Sequence, residues 1–352
     1  MARKVFFLLI ILISQFCFSQ SKTLSKIDSL ETELEAQSFM RSCSKNKEDY
    51  LSKFNLKTIQ SFNNNYYHHV SEKIKQAADS LGINKSFYKG DFDHNGTTDL
   101  LFIGDNTSCE GYDQELEKPY SCNSSIKVIL DLEGKYEVKD LLPNHFDFVV
   151  PLITKIDNKD YVSVFGEELT EYLEGSTYRQ NYKMVSKILD YKYANFIEYN
   201  AAPISHSIKK IEYSTGICFG TCPSFSMEIH QNGNAKFIAK AFNFTDEKDP
   251  KSEEKAYKAL NKGKDEGHFE AKLKPEDFNR IQEMLNYIDF SNLKDDYWVN
   301  WTDDQSSTLT VTFNNGKKKK IKDYGLVGTY GLKNFYTILF DLRFNQDWKK
   351  IK

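Results

Sequence analysis

The N-terminal third of the chain carries apolar residues at spacings of three and four, the pattern of amphipathic helices. Between residues 22 and 45 the pattern is formed by Leu24, Ile27, Leu30 and Leu34. A second run extends from 55 to 81, with apolar positions at Leu56, Ile59, Phe62, Tyr66, Val70, Ile74 and Ala77. Gly82 follows this run as a stop signal. We predict one helix over 22–45 and another over 55–81.

Beyond residue 86 the pattern changes to short apolar runs separated by turn signals, which predicts strands. Glu133-Gly134 and Asp157-Asn158 are two such turns. The 26 phenylalanines and 21 tyrosines of the chain also favour strands. The strands predicted in this region cover residues 100–103, 126–132, 136–141, 146–153, 161–165 and 182–189.

The C-terminal part alternates in the same way but adds two helices. Predicted strands cover residues 208–214, 225–231, 235–242 and 268–273. Pro275 opens a helix with a stripe of Phe278, Ile281, Leu285 and Ile288. Strands at 308–313 and 319–324 flank Asn314-Asn315-Gly316, a hairpin signal, and a last helix covers 332–342. The order β-β-β-β-α-β-β-α predicts an α+β domain with a mainly antiparallel sheet.

The best place for a domain break is Ala201-Ala202-Pro203. We therefore predict an N-terminal helical and β domain over 20–200 and an α+β domain over 201–352. The length of the chain is typical of about two domains. The hydrophilic segment from 246 to 266 is rich in Lys, Glu and Asp and is predicted to be a mobile loop.

Residues 1–19 have the pattern of a secretory signal peptide. Arg3 and Lys4 precede the apolar run 5–13, and Cys17-Phe18-Ser19 predicts cleavage before Gln20. The expected location is the periplasm or outside the cell. A lipid anchor on Cys17 is the less favoured alternative, because Phe16 directly precedes that cysteine. No later segment has the roughly 18 apolar residues of a membrane helix.

The charge balance narrows the expected partners. Cleavage after residue 19 removes Arg3 and Lys4, which shifts the formal net charge from −3 to −5. A nucleic-acid-binding protein would instead carry a basic stripe, so no nucleic acid is expected. Another protein or a surface polymer remains as the partner.

One loop points to a ligand. Asp91, Asp93, Asn95 and Asp99 occupy positions 1, 3, 5 and 9 of a segment that turns at Gly96. Carboxylate and amide oxygens in this alternation suit calcium, and the backbone carbonyl of Thr97 would add another ligand. The alternative is an Asn-Gly hairpin whose carboxylates are only solvated. We expect a structural site with an affinity of roughly 10⁻⁴–10⁻³ M, typical of extracellular modules.

This loop resembles two known designs. It is similar to the first half of an EF-hand, but Phe102 stands where that family has a bidentate glutamate. It is closer to the calcium loops of FG-GAP repeats in integrin-like β-propellers, which have the form D-x-D-x-[DN]-G-x-x-D between two strands. That resemblance implies a calcium loop joining two strands. A single copy does not build a propeller.

Five cysteines remain after cleavage, and export makes disulfides the default expectation. Proximity in sequence favours Cys109–Cys122 and Cys218–Cys222, which leaves Cys43 free. Pairing of Cys43 with Cys109 or with Cys122 is an equally allowed connectivity.

Cys218 and Cys222 lie in the string C-F-G-T-C-P. This string resembles the copper-binding loop of Sco-type chaperones, which implies redox or metal chemistry, with His206 and His230 as the nearby histidines. The simpler interpretation is a structural disulfide, because the sequence predicts a strand after the loop instead of a helix whose N-terminus would lower a thiol pKa.

The region around this loop resembles an uncharacterised domain family of exported bacterial proteins. The resemblance extends over about 208–342. It rests on the stretch 211–229, on Trp301-Thr302-Asp303 and on the Asn-Gly hairpin with its lysine-rich return strand. Ile217 departs from it, since proline is common there. The resemblance implies a domain and no activity.

Other polar groups have ordinary explanations. His68 and His69 point about 100° apart on the predicted helix and do not share a ligand. The run 317–320 is a solvated lysine strand, and Glu167, Glu168 and Glu171 are expected in an acidic loop. No G-x-S-x-G, H-E-x-x-H, P-loop or dinucleotide motif is present.

Three functions follow from these observations. The leading one is an exported, non-enzymatic, calcium-stabilised binding protein of the cell envelope. The alternative is an envelope thiol redox or metal-handling protein that uses Cys218 and Cys222. The third is binding of a glycan or another polymer through exposed aromatic side chains such as Trp298 and Trp301.

Overall fold

The computed structural model describes residues 24–45, 50–62, 70–106, 112–113, 118–119, 122–141, 146–174, 177–243, 266–299 and 302–351, without the side chains of 50, 106, 112–113, 118–119, 122–125, 146–148, 169–174 and 177–182. The signal segment 1–19, the pair His68-His69, Cys109, Trp301 and nearly all of the segment 246–266 lie outside the described residues. The chain divides into two compact units, residues 1–141 with 152–161, and residues 142–151 with 162–352.

The predicted helix over 22–45 is wrong in its extent. A 3₁₀ turn covers Lys26–Ser29, and a separate helix, α1, covers Glu33–Ser42. Two successive capping boxes cause the break. In each box the side chain of the N-cap residue and the carboxylate three positions later accept hydrogen bonds from each other's backbone N–H. The pairs are Ser25 with Asp28 before the 3₁₀ turn and Thr32 with Glu35 before α1. As a result Leu24 and Leu34 are exposed at 79% and 74%, while Ile27 and Leu30 are buried.

The predicted helix over 55–81 is also mostly wrong. Among the described residues of this range, strand β1 covers Phe54–Leu56, a 3₁₀ turn covers Ile59–Ser61, and the one α-helix, α2, covers Glu72–Ser80, while 63–69 lie outside the described residues. The side chain of Ser71 caps α2 by accepting a hydrogen bond from the backbone N–H of Ile74 at 3.2 Å. Gly82 ends the segment in the left-handed region, with φ +68°, as predicted.

The first unit is built on a five-stranded antiparallel sheet. Its other strands are β2 (Phe87–Gly90), β3 (Asp99–Asn106), β6 (Cys122–Leu132) and β7 (Lys135–Asp140), in the order β1-β3-β6-β7 with β2 also paired to β3. A two-stranded ribbon of β4 (Tyr112–Asp113) and β5 (Lys118–Pro119) lies between β3 and β6 in the chain. The rings of Phe54 and Phe102 meet edge to face in the core, with centroids 5.5 Å apart.

A second sheet follows in the chain. It consists of β8 (Phe146–Ile156), β9 (Lys159–Glu174), β10 (Thr177–Lys192) and β11 (Asn195–Glu198) in the order β11-β10-β9-β8. The strands predicted between 100 and 189 are thus confirmed, and so are the turns at Glu133-Gly134 and Asp157-Asn158. Glu167, Glu168 and Glu171 were expected in an acidic loop; they lie within β9.

The C-terminal part contains an eight-stranded sheet, mainly antiparallel, which confirms the predicted α+β fold class. Its strands are β12 (Ile208–Thr215), β13 (Ser224–His230), β14 (Asn234–Ala241), β15 (Gly267–Lys272), β16 (Asp296–Tyr297), β17 (Ser306–Phe313), β18 (Lys318–Tyr324) and β19 (Lys349–Lys350). They lie in the order β16-β18-β17-β12-β13-β14-β15-β19. Helices α3 (Pro275–Tyr287) and α4 (Tyr330–Asn345) contribute to the core cluster beside the strands.

The predicted break at 201–203 does not coincide with the division into units, because β10 and β11 are joined to the helices of the second unit. Tyr287 donates a hydrogen bond to Asp190 Oδ2 at 2.8 Å. Glu198 accepts hydrogen bonds from the backbone N–H groups of Tyr330 (2.9 Å) and Gly331 (2.8 Å) at the start of α4. Residues 162–200 therefore belong to the same compact unit as the C-terminal sheet.

None of the helices within the described part of the chain has the length and apolar character needed to cross a bilayer.

Candidate calcium site and the cysteine loop

The acidic loop connects two paired strands of the first unit. Gly90, the last residue of β2, pairs with Asp99, the first residue of β3, so that residues 91–98 form the connection. His94 and Gly96 have positive φ angles of 60° and 89°, which let the chain reverse. Strand pairing thus brings the first and last acidic residues of the motif to the same end of the hairpin.

Three of the predicted ligands converge. Asp91, Asp93 and Asp99 each offer one carboxylate oxygen, and these oxygens lie within 4.8 Å of one another. Two oxygens that bind one calcium ion at 2.3–2.6 Å are at most about 4.6–5.2 Å apart. The spacing of the three carboxylates therefore fits one calcium ion.

Asn95 and Thr97 have other partners through their side chains. The Asn95 carbonyl oxygen accepts a hydrogen bond from the backbone N–H of Thr97 at 2.7 Å, and its amide donates to Asp93 Oδ2 at 3.0 Å. Both side chains also donate to the backbone carbonyl of Asp131 in β6, at 2.9 Å from Asn95 and 2.5 Å from Thr97. The side chains of Asn95 and Thr97 therefore attach the loop to β6.

Asp99 is fully buried and holds three backbone groups. Its Oδ2 accepts from the N–H of Phe92 (2.7 Å) and Asp93 (3.3 Å), and its Oδ1 accepts from the N–H of Asp131 (2.9 Å). Burial raises the pKa of Asp99 to about 7, with the charge of Asp93 adding to the rise and these hydrogen bonds opposing it. Burial also raises the pKa of Asp93, and the charge of Asp91 adds to it.

Asp91 supplies the observation that bears most directly on a bound ion. Its Oδ2 accepts a hydrogen bond from the backbone N–H of Gly96 at 3.0 Å. Its Oδ1 is buried and has no hydrogen-bond partner within the described residues. A buried carboxylate oxygen without a partner is costly, and a cation at the convergence of the three carboxylates would satisfy it.

Two supporting residues were missed by the sequence analysis. The backbone carbonyl oxygen of Asp131 accepts the hydrogen bonds from Asn95 and Thr97. The carboxylate of Asp160 accepts hydrogen bonds from the backbone N–H of Asp91 at 3.4 Å and from Lys155 Nζ at 2.6 Å. The ring Nε2 of His94 lies 2.8 Å from the carbonyl oxygen of Asp160. Only tertiary structure brings these residues together, since they are 30–70 positions from the loop in sequence.

The second predicted pair of functional residues, Cys218 and Cys222, forms a disulfide with a Cα–Cα distance of 5.6 Å. Gly220 between them has φ +151°, near the edge of the region that favours glycine. The side chain of Gln305 joins the two ends of the loop, because its amide donates hydrogen bonds to the carbonyl oxygens of Gly216 (2.9 Å) and Pro223 (2.7 Å). The enclosed Phe219 is 88% exposed.

Features of a redox or metal centre are not found around this disulfide in the described residues. Strand β13 follows it, so no helix N-terminus faces the sulfurs. His206 lies 3.2 Å from the hydroxyl of Ser291, and His230 lies 2.6 Å from Glu228 Oε1. The one group of three metal-binding side chains found in the described part of the chain is Asp91, Asp93 and Asp99.

The match to a protein family concerns this second region. Residues 209–343 match the domain of unknown function DUF6438. The DUF6438 region includes the disulfide loop, the Asn-Gly hairpin, helix α3 and all but the last two residues of α4. This confirms the expected resemblance of the C-terminal part to an uncharacterised domain family. No curated protein and no solved structure matches the chain.

The remaining cysteines are described in part. Cys43 is a free thiol, half-buried against the core of the first unit, and burial raises its pKa to about 11. A thiol with that pKa is almost entirely protonated at neutral pH and is a poor nucleophile. Cys109 and the side chain of Cys122 lie outside the described residues, so their pairing stays a prediction.

Proposed function

We propose that the protein is an exported, non-enzymatic binding protein of the cell envelope whose first unit is stabilised by calcium. The observation that carries the calcium part is the convergence of the carboxylates of Asp91, Asp93 and Asp99 around the buried, unpartnered Oδ1 of Asp91. A bound Ca²⁺ would offset the repulsion among three carboxylates and hold the β2–β3 connection in place. The role of the ion is structural.

Thermal unfolding with and without calcium tests this proposal. With a dissociation constant of about 10⁻⁴–10⁻³ M, calcium at about 10 mM would stabilise the folded protein by about 1.4–2.7 kcal/mol. For a unit of this size that corresponds to a rise in Tm of roughly 3–10 °C. An unchanged Tm at this concentration contradicts the proposal and favours a hairpin with solvated carboxylates.

The variant Asp91→Asn separates calcium binding from general stability. Asparagine keeps an oxygen for the N–H of Gly96 and places an amide where Oδ1 stands, beside the carboxylates of Asp93 and Asp99. We expect the calcium-free variant to be as stable as the parent or more stable, and its calcium response to be lost. The matched control is Asp157→Asn, an exposed turn position with φ +50° that asparagine tolerates. It keeps the full calcium response.

Export is supported by the signal pattern of residues 1–19. Expression of the full chain in a Gram-negative host, followed by fractionation and mass determination, tests it. We expect a periplasmic or secreted product that begins at Gln20. A cytoplasmic product that retains residue 1 contradicts export, and a lipidated product on Cys17 shows anchoring instead.

The second candidate is a thiol redox or metal-handling function of Cys218 and Cys222, and one observation favours it: the disulfide lies in a loop whose central Phe219 is exposed and accessible to a partner. Mass spectrometry under graded reductant separates the two functions. A pair that stays oxidised in mild reductant supports a structural disulfide. A pair that is reduced readily while the protein keeps its native stability supports redox chemistry.

The binding partner of the leading proposal is a protein or a surface polymer, with no role for nucleic acid. Trp298, 48% exposed, is an aromatic side chain available for such a contact. Substitution Trp298→Ala combined with pull-down from envelope fractions tests whether this position takes part.

A further inference from the structure

The outer face of the eight-stranded sheet carries a row of lysines. Lys318, Lys320 and Lys322 are exposed on β18, and Ile321, which alternates with them, packs in the core with the helices on the other face. Neighbouring lysines of the row are about 7 Å apart, because a strand rises about 3.4 Å per residue. We call these three residues the lysine row.

The charge of the lysine row is not compensated by its surroundings. Within the described part of the chain, none of its three side chains has an ion-pair or hydrogen-bond partner. Lys319, which points to the other face, does have one, since its Nζ lies 2.5 Å from Asp295 Oδ1. Asp296 of β16 lies beside Lys322 in the sheet but forms no ion pair with it. The row is therefore a local excess of positive charge in a chain whose formal net charge is −3.

Each lysine of the row pairs across the strands with a threonine of β17. The pairs are Lys322 with Thr308, Lys320 with Thr310 and Lys318 with Thr312. An ammonium group and a hydroxyl side by side can both donate hydrogen bonds to one anionic oxygen. Thr312 is only 8% exposed, so the ammonium of Lys318 is the accessible donor of its pair. Two donor pairs and a third ammonium thus lie in one line.

A groove of about 450 Å³ continues from the threonines across the neighbouring strands. Hydroxyl-bearing side chains from three strands line it: Thr308 and Thr310 of β17, Ser214 of β12 and Ser226 of β13. Ser214 pairs with Thr308 on one side and with Ser226 on the other, so these hydroxyls form a row across the sheet. None of the four hydroxyls has a hydrogen-bond partner in the described residues, which leaves them available to a ligand.

The carboxylates of the groove already have cationic or imidazole partners. The Nζ of Lys210 lies 2.8 Å from Glu212 Oε1 and 3.4 Å from Glu228 Oε2. The ring Nε2 of His230 lies 2.6 Å from Glu228 Oε1. Lys236 also lines the groove and is without an ion pair in the described residues. The groove therefore does not cancel the charge of the lysine row, and the combined surface favours an anion.

The shape and chemistry of this surface match an extended chain of acidic sugars. The lysine row spans about 14 Å, which suits negative groups that repeat along a polymer. The hydroxyls of the groove can exchange hydrogen bonds with those of sugar rings. Protein partners are instead anchored mainly by aromatic and arginine side chains. Among the residues that line the groove, Ile238 is the one apolar side chain on the outer face.

We infer that the lysine row and the groove beside it bind an acidic surface polysaccharide. The carboxylates of the polymer lie along the lysine row, and its hydroxyls contact the threonine and serine side chains of the groove. The inference rests on the proposed function, because it specifies the surface polymer that was named there as a partner.

Calorimetric titration of the intact protein with oligomers of polygalacturonate tests the inference. Neutral dextran oligomers of the same length are the reference, and the buffer is free of calcium so that the polymer does not bind the metal. We expect polygalacturonate to bind at low salt, to bind more weakly as salt is added, and dextran not to bind. Absence of polygalacturonate binding, or equal binding of both polymers, overturns the inference. The calcium response in thermal unfolding still tests the proposed function separately.

Replacement of the whole lysine row by glutamine locates the binding surface. We expect Lys318→Gln/Lys320→Gln/Lys322→Gln to keep the parent Tm, to bind polygalacturonate about tenfold more weakly at low salt, and to lower the salt slope by about 2. The matched control removes the same charge from exposed positions of the first unit, as Lys73→Gln/Lys135→Gln/Lys159→Gln, and keeps the parent affinity. If the row variant binds like the parent, or the control loses as much, the inference is wrong while polymer binding itself stands.

The hydroxyls of the groove give a second readout. Valine keeps the branched shape of threonine, so Thr308→Val/Thr310→Val should lower the affinity severalfold and leave the salt slope unchanged. An unchanged affinity contradicts the contact with sugar hydroxyls. Vesicles of phosphatidylglycerol and phosphatidylcholine separate a lipid surface from a polysaccharide. Tighter binding to these vesicles than to polygalacturonate, lost in the lysine-row variant, overturns the polysaccharide as the partner.

Discussion

Asp99 in the first unit and Asp323 in the second unit are both buried aspartates, and their surroundings differ in kind. Both side chains are at most 1% exposed, and burial raises both pKa values, to about 7 and about 6. The charged group that adds to the rise at Asp99 is another loop carboxylate, Asp93. Around Asp323 hydrogen bonds from the N–H of Val327, the hydroxyl of Tyr336 and the N–H of Gly328 oppose the rise, while the charge of Asp304 adds to the pKa without forming a cluster of three carboxylates in the described residues.

The difference teaches that neighbours, more than burial, decide what a buried carboxylate binds. Three carboxylates within ligand distance of one another are stabilised by a cation, whereas a buried carboxylate that accepts hydrogen bonds from a hydroxyl and from backbone N–H groups is stabilised by those bonds. We therefore expect calcium to act on the first unit and to leave the surroundings of Asp323 unchanged.

The largest expected effect comes from removing the two carboxylates. Asp99→Ala leaves the backbone N–H groups of Phe92, Asp93 and Asp131 without an acceptor, and at about 1–3 kcal/mol for each such group we expect a loss of 3 kcal/mol or more, as an order of magnitude. Asp323→Ala removes the acceptor of two backbone N–H groups, those of Val327 and Gly328, where Asp99 serves three, so a smaller loss is expected. Urea unfolding measures both: circular dichroism follows both units, and tryptophan fluorescence follows the second unit, which contains all three tryptophans. Equal losses would mean that the two sites are alike.

The disulfide gives the next effect in size. Opening a five-residue loop by reduction of Cys218–Cys222 costs about 2 kcal/mol in the chain-entropy estimate, and the cost falls on the second unit. The Cys218→Ser/Cys222→Ser double variant should unfold at lower denaturant while its calcium response stays that of the parent. A weakened calcium response in this variant would show that the two units are not independent.

The pH dependence distinguishes the two carboxylates. The folded pKa of Asp99 lies above the ordinary value of 3.8, so its proton stabilises the calcium-free protein below about pH 4, and this contribution is lost as pH rises through about 7. Protons therefore compete with calcium, and the apparent dissociation constant should rise about tenfold (about 1.4 kcal/mol) for each pH unit below 7. Calorimetric titrations between pH 5 and pH 8 measure it.

Asp323 provides the control for that experiment. The pKa of Asp323 in the folded protein is also raised, so protonation of Asp323 stabilises the fold at acid pH, and this stabilisation is lost as the pH rises through about 6. Calcium should leave this part of the pH profile unchanged, and Asp323→Asn should remove it. A calcium dependence of the Asp323 part would contradict the separation of the two sites.

The smallest effect concerns the attachment of β11 to α4. Glu198 accepts hydrogen bonds from two N–H groups at the start of this helix, where a negative charge is favourable. Glu198→Gln loses the charge and one acceptor, and we expect about 1 kcal/mol of destabilisation without change in calcium affinity. Thermal unfolding of the variant measures it; an unchanged Tm would show that residues 162–200 contribute little to the DUF6438 region.

The sequence predicted the strands well because their alternation and turn signals are local. It failed on the N-terminal helices for an equally local reason that was overlooked: S-x-x-D at Ser25 and T-x-x-E at Thr32 are two capping boxes, and they begin two short elements in place of one long helix. Leu56 lies in strand β1, which pairs with β3 fifty residues later, and no local pattern contains that pairing.

The two sites were predictable to different degrees. Asp91, Asp93 and Asp99 lie in one short loop, so their spacing alone predicts that they converge. The side chains around Asp323 include Ser307 and Tyr336, which are brought to it by the pairing of β17 with β18 and by the packing of α4. One signal was present in β18: alternation places Ile321 and Asp323 on the buried face, whereas Lys320 and Lys322 are exposed on the other.

The most direct test of the account is a crystal structure of the protein grown with calcium. The account predicts one ion at about 2.3–2.6 Å from carboxylate oxygens of Asp91, Asp93 and Asp99, with the Oδ1 of Asp91 among its ligands. A loop without an ion at millimolar calcium, in which that Oδ1 bonds to water or to another protein group, would contradict it.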